Sequence, residues 1–136
     1  MAHEDVLDFI RHNHHAVLAT YRRDGRVQQS PVAATVDAQG RVVVSTQDTA
    51  VKTRNLRRDP RASLCVLNDR FFGEWHVVEG TVEIVALPDA MEPLVEYYRN
   101  VAGEHPDWDD YRAAMEREQR VLLRLTVERS GPRQPS

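Results

Sequence analysis

Apolar and polar positions alternate along this chain in short runs with two different periods. Residues 4–13 place Val6, Leu7, Phe9 and Ile10 on one stripe at helical spacing, which predicts a short amphipathic helix. Residues 16–21 (AVLATY) predict a strand, and Asp24-Gly25 a hairpin turn, because glycine accepts positive φ without steric cost. Residues 27–36 resume the strand pattern, interrupted by Pro31, which cannot donate to a ladder and implies an edge or a bulge. After a turn at 37–40, residues 41–46 (RVVVST) form a strongly β-branched strand.

A helix is expected over 50–58, capped by Asp48 or Thr49 and ended by Asp59-Pro60. Strands follow at 62–67 and 75–85. In the second, alternation puts His76, Val78, Val82 and Ile84 on one face and Trp75, Val77, Glu79, Thr81 and Glu83 on the other. Helices are predicted at 92–102, where Pro93 is tolerable in the first turn, and at 108–119, then a strand at 121–127 and a loose tail over 129–136. Six strands in mostly hairpin succession, with helices inserted at three places, predict an α+β fold: a six-stranded antiparallel barrel with peripheral helices, in one domain over 1–128.

Composition narrows the class. At 136 residues, 41% hydrophobic and 29% charged, the chain has the profile of one globular domain rather than a disordered one. One cysteine, Cys65, excludes an internal disulfide framework and an all-cysteine metal cage within one chain; in its apolar setting (ASLCVL) it is expected to be buried and inert. No apolar run reaches the ~20 residues needed to span a bilayer, and the polar start through His15 does not resemble a signal peptide. The expected protein is soluble and cytoplasmic, with no membrane partner. A net charge of -3 also excludes the broadly basic surface of a nucleic-acid binder.

That total conceals two opposite runs. Lys52, Arg54, Arg57, Arg58 and Arg61 stand against Asp59 alone, whereas Glu104, Asp107, Asp109, Asp110, Glu116 and Glu118 outnumber Arg112 and Arg117. The acidic run suits a solvated helix face. The cationic run in an acidic chain suggests a localised anionic partner.

The cationic run also opens a predicted helix, whose unpaired N–H groups and partial positive charge favour phosphate. Lys52 adds a full charge there, and Thr46, Thr53 and Asn55 offer uncharged hydrogen bonds. The same features suit an ordinary capped surface helix, and chemistry alone does not choose between them. His12, His14 and His15 lack Cys, Asp or Glu partners at ligand spacing, so no metal is expected. Asp107, Asp109 and Asp110 lack the glycine and closing glutamate of a calcium loop. Neither a GxSxG elbow nor a GxGxxG or Walker motif is present.

The run KTRNLRRDPRASL (52–64), preceded by VVVST and followed by EWHVVEG (74–80), resembles the pyridoxamine-phosphate-oxidase-like split-barrel flavoproteins. With YRNVAGEHPDWDDYRAAM (98–115), it is most similar to the actinobacterial branch that uses the deazaflavin coenzyme F420. The likeness runs from about residue 16 to 125 and implies an FMN-binding type of split barrel. It also implies a homodimer with cofactor sites at the subunit interface. By this resemblance Lys52 grips the cofactor phosphate, helped by Thr46 and by Thr53 or Asn55. Ser30, Pro31 and Val32 lie along the ring, and Trp75, His76, Val77 and Val78 of the other subunit close the pocket. Arg54, Arg57 and Arg58 either face the cofactor's acidic tail or simply coat the surface.

The implied activity is hydride transfer from reduced coenzyme F420 to an unsaturated or conjugated small molecule. No side chain is assigned as catalytic; His76 is a candidate proton donor, and water or substrate geometry serves as well. Two departures bear on the choice. Pyridoxamine-phosphate oxidases proper carry a C-terminal strand whose Arg and His bind the substrate phosphate, whereas here RLTVER runs into SGPRQPS, which speaks against vitamin B6 oxidation. Residues 27–31 hold no Lys or Arg, where FMN-using relatives place phosphate ligands. An FMN-binding oxidase or flavin reductase of the same fold remains the alternative, as does a non-catalytic barrel that binds a cofactor or haem.

Overall fold

The structure, a computed structural model, describes residues 3–132. The chain runs α1 (Glu4–His12), β1 (His15–Tyr21), β2 (Val27–Ala33), β3 (Thr35–Val36), β4 (Val42–Gln47), α2 (Val51–Arg58), β5 (Arg61–Leu67), β6 (Trp75–Val85), α3 (Met91–Ala102), α4 (Trp108–Arg117) and β7 (Arg120–Gly131). The α+β class and the antiparallel sheet are as expected. The described strands number seven rather than six, in the order β2-β1-β5-β6-β7-β4-β3.

The additional strand comes from a break inside 27–36. β2 pairs with β1 from Val27–Tyr21 to Ala33–His15, whereas β3 pairs with β4. Between them the fully buried Ala34 donates its N–H to His14 O at 2.8 Å. The apolar pattern passes through this turn-off unchanged, so alternation alone reads one strand. The break has an architectural result: the two edges of the sheet are neighbours in sequence, and the sheet curls back on itself into a split barrel. Pro31 lies on β2, an edge strand, as its missing N–H requires.

β7 is longer than predicted. Beyond an irregularity at Glu79/Gly80, Arg129, Ser130 and Gly131 pair with Glu79, Val78 and Val77. Strand pairing therefore reaches three residues into the expected loose tail; residues 133–136 lie outside those described. Gly80 is required at the irregularity, because a Cβ there would fall 1.9 Å from Thr126 O.

The barrel interior is filled by Leu18, Val44, Leu64, Val66, Val78, Leu123 and Leu125, with Val6 and Ile10 of α1 closing one end. Leu64 is 1% exposed, and its truncation to Ala is expected to cost about 2–5 kcal/mol. A second apolar layer packs α3 and α4 against the outside of β4 and β7, through Val43, Leu94, Tyr111, Met115 and Leu122. The outer face of β1, β5 and β6 is only half-buried, as the alternation of His15–Tyr21 and Arg61–Leu67 shows. Cys65 points to that outer face, because its neighbours Leu64 and Val66 point inward. It is therefore half-buried rather than fully buried as expected, and burial raises its thiol pKa. No described helix is long and apolar enough to cross a membrane.

Candidate functional site

The first turn of α2 departs from expectation. Its N-cap is Ala50, and no side chain caps the helix. Asp48 is instead drawn to the far end of the helix by Arg57, which bonds both its carboxylate and, at 3.1 Å, its backbone oxygen. A helix opening without a side-chain cap leaves first-turn donors available for an external acceptor.

Lys52 lies in that first turn, part-buried. Burial, and after it the nearby Arg120 guanidinium, lower its pKa from the ordinary lysine value. Arg120 is a residue that sequence reading missed. It is brought there by the β4–β7 ladder, in which Gln47 pairs with Arg120. No local signal marks it; only the register of two strands far apart in sequence places it beside Lys52. Its Nε donates to Glu118 Oε1 at 3.0 Å. A second cation thus lies within electrostatic reach of Lys52 near the start of α2, while the carboxylates of Glu118 and Asp48 are taken by Arg120 and Arg57.

The uncharged residues assigned to the same site point elsewhere. Thr53 is fully buried and donates to Gln47 O at 2.8 Å, pinning α2 to the end of β4. Asn55 donates to Thr20 Oγ1 at 3.1 Å and accepts from Arg58 Nη2 at 3.2 Å, which ties α2 to β1. Thr46 is 4% exposed and shares the barrel-interior face of β4 with Val42 and Val44. Their short polar side chains satisfy the interior rather than present themselves to a ligand.

The ring-pocket residues divide by sheet face. Paired residues share a face, so Ser30 and Val78 point inward through the row Ser30–Leu18–Leu64–Val78, as do Val32 and His76. Pro31 and Val77 point outward, as does Trp75 by its alternation with His76. Within one chain, β1 and β5 separate β2 from β6, a gap of about 14 Å at the ~4.8 Å strand spacing. Three of these residues carry unused hydrogen-bonding capacity: Ser30 Oγ, Trp75 Nε1 and His76 Nδ1 are buried without partners, which is uncommon for buried polar atoms.

His76 is 3% exposed, with Nε2 2.8 Å from Glu74 Oε2 and its ring 4.4 Å from that of Phe9. It packs the barrel end under α1. Among the other cations, Arg58 donates to Tyr21 O at 2.7 Å. Arg61 holds the Asp59 carboxyl at a pKa of about 2, chiefly through their side-chain hydrogen bond, and covers the Tyr21 ring at 4.9 Å. Arg54 is exposed. No cluster of three or more His, Cys, Asp or Glu that could hold a metal occurs among the described residues.

The family profile of pyridoxamine 5'-phosphate oxidase matches residues 2–132. The chain belongs to that family. Solved structures with the same fold include the hypothetical protein Rv2991 of Mycobacterium tuberculosis, 26% identical with TM-score 0.77, over 96% of this chain and 82% of the other. An F420 reductase is 21% identical with TM-score 0.67, over 88% and 90% of the two chains. An FMN-binding, pyridoxamine 5'-phosphate oxidase-related protein of Nostoc punctiforme is 13% identical with TM-score 0.65, over 96% and 82%.

Proposed function

We propose that this chain is an oxidoreductase that holds coenzyme F420 and delivers a hydride from it to a conjugated small molecule. The observation that carries the reading is the convergence of Lys52 and Arg120 at the uncapped start of α2, which suits a phosphate group. When bound, the deazaflavin supplies a two-electron hydride at C5. The protein supplies grip, orientation and exclusion of water.

In this reading the Lys52 ammonium and the Arg120 guanidinium donate to phosphate oxygens, and the open amides of α2 add to them. The free backbone edge of β2 beside Ser30, Pro31 and Val32 meets the ring edge. Trp75 and Val77 on the outer sheet face close the ring pocket of a second copy. Thr46, Thr53, Asn55, Val32, His76 and Val78 support these groups from behind. Two copies then form two sites at their interface, and the setting is the cytoplasm. No side chain is required as proton donor.

Fluorescence titration of the purified protein with coenzyme F420 and, separately, with FMN tests the reading. Tighter binding of F420, at micromolar affinity or better, is expected. Tighter binding of FMN selects an FMN enzyme of the same fold. Binding of F420 without turnover across enones, quinones and tetrapyrroles selects a cofactor carrier instead. Light scattering should give twice the mass of one chain.

A further inference from the structure

The outer layer between α3 and the sheet is not completely filled. A cavity of about 280 Å³ lies between the β3–β4 turn, α3 and β7. Val43, Leu122, Pro93 and the ring of Tyr97 form its body. The Tyr97 hydroxyl already has a partner, donating to Ala33 O at 2.8 Å. Arg124 also lines the cavity, placed there by pairing with Val43 on one side and Glu83 on the other.

Arg124 is poorly satisfied. Its side chain is 19% exposed, its Nε is buried without an acceptor, and its nearest carboxylate oxygen, Glu83 Oε1, is 3.6 Å from Nη1. That separation is too long for a hydrogen bond. Arg41, lining the same cavity, is the contrast: its Nε donates to Asp37 at 2.9 Å and its Nη2 to Gln39 at 3.2 Å. A largely buried guanidinium whose Nε lacks an acceptor, beside an apolar space, leaves hydrogen-bonding capacity that an occupant of that space can meet.

We propose that this cavity binds a flat molecule of one or two rings that carries a hydrogen-bond-accepting oxygen. Arg124 receives the oxygen, and the ring lies against Val43, Leu122 and Tyr97. The size fits: ordered water occupies about 30 Å³ and needs several polar partners, whereas this space is many times larger and its body is apolar. The charge narrows the class. Asp37 is paired with Arg41 and Glu92 with Arg112, and Glu96 stands on the rim. These carboxylates disfavour a polyanion, so the occupant is neutral or singly charged, a carbonyl compound or a monocarboxylate, and differs from the phosphate-bearing ligand of the α2 corner.

The test titrates the full chain with 2-acetonaphthone, 2-naphthoate and naphthalene, followed by amide and methyl NMR shifts. Binding of the two oxygen-bearing probes should shift Val43, Leu122 and Asn100, with naphthalene about tenfold weaker for want of an acceptor. Arg124→Met should erase the advantage of the oxygen-bearing probes. Ala38→Trp, at an exposed position of the turn, should block all three by filling the cavity without a core change. Lys52→Ala should leave all three unaffected. The proposal is overturned if these resonances do not move, if naphthalene binds as tightly as its oxygenated relatives, if Ala38→Trp leaves binding intact, or if Lys52→Ala abolishes it.

Discussion

Residues 51–61 and residues 92–118 are both rich in charged side chains, yet these end in different situations. In the later region the charges answer one another. Glu92 bonds Arg112, and Arg99 bonds Glu104 at 3.0 Å while covering the Trp108 ring at 4.8 Å. Asp107 caps α4 by accepting from the Asp110 N–H at 3.1 Å. In the earlier region Arg57, Arg58 and Arg61 are likewise engaged. Lys52 is not: it is part-buried beside a second cation, at a helix start that no side chain caps. The informative feature is therefore not the number of charges but where a charge and a helix end are left for something external.

The contrast can be broken most strongly at Lys52. Replacing it with Ala should weaken F420 binding by roughly 10- to 100-fold, the scale of a hydrogen bond to a charged group, with little change in Tm. Titrating the same ammonium should act in the same direction. Its pKa is lowered in the folded chain, so affinity for a phosphate is full below that value and declines as pH rises through it, whereas a neutral probe shows no such decline. In the absence of ligand the sign for stability is the reverse. Protonation is harder folded than unfolded, so stability recovers as pH rises from the folded to the unfolded value.

A cap should set stability against binding. Ala50→Asp would supply the missing acceptor for α2 and raise stability by about 1 kcal/mol, while the added carboxylate weakens F420 binding several-fold. The matching change in the self-satisfied region, Asp107→Ala, should lower stability by about 1 kcal/mol through loss of the α4 cap and leave cofactor binding unchanged. Both are read by thermal denaturation alongside titration. The smallest effect is expected from Glu118→Gln, which removes the carboxylate on Arg120 and should tighten anion binding slightly.

Much of the fold was legible because two periods of hydrophobicity are enough to locate strands and helices; β6 has the predicted bounds and alternation. The break at Ala34 was not, since apolar residues continue through it and only a change of pairing partner separates β2 from β3. The tail was misjudged because Arg129-Ser130-Gly131 is polar, and its order comes from pairing with Val77, Val78 and Glu79 rather than from burial of its own side chains. In the site, Lys52 was legible from charge at a helix start. Arg120 depends on the β4–β7 register, which no short motif encodes. Thr53 and Asn55 have the right chemistry for a phosphate but face inward, and a helical spacing of two residues does not say which side of α2 meets the barrel.

The role of Lys52 and Arg120 in holding the cofactor is decided by calorimetric titration of coenzyme F420 into the wild-type chain, Lys52→Ala, Arg120→Ala and Asp107→Ala. Micromolar or tighter binding is expected for the wild type and for Asp107→Ala, and at least tenfold weaker binding for both cation variants. Wild-type binding that Lys52→Ala and Arg120→Ala leave untouched, or no wild-type binding at all, would contradict it.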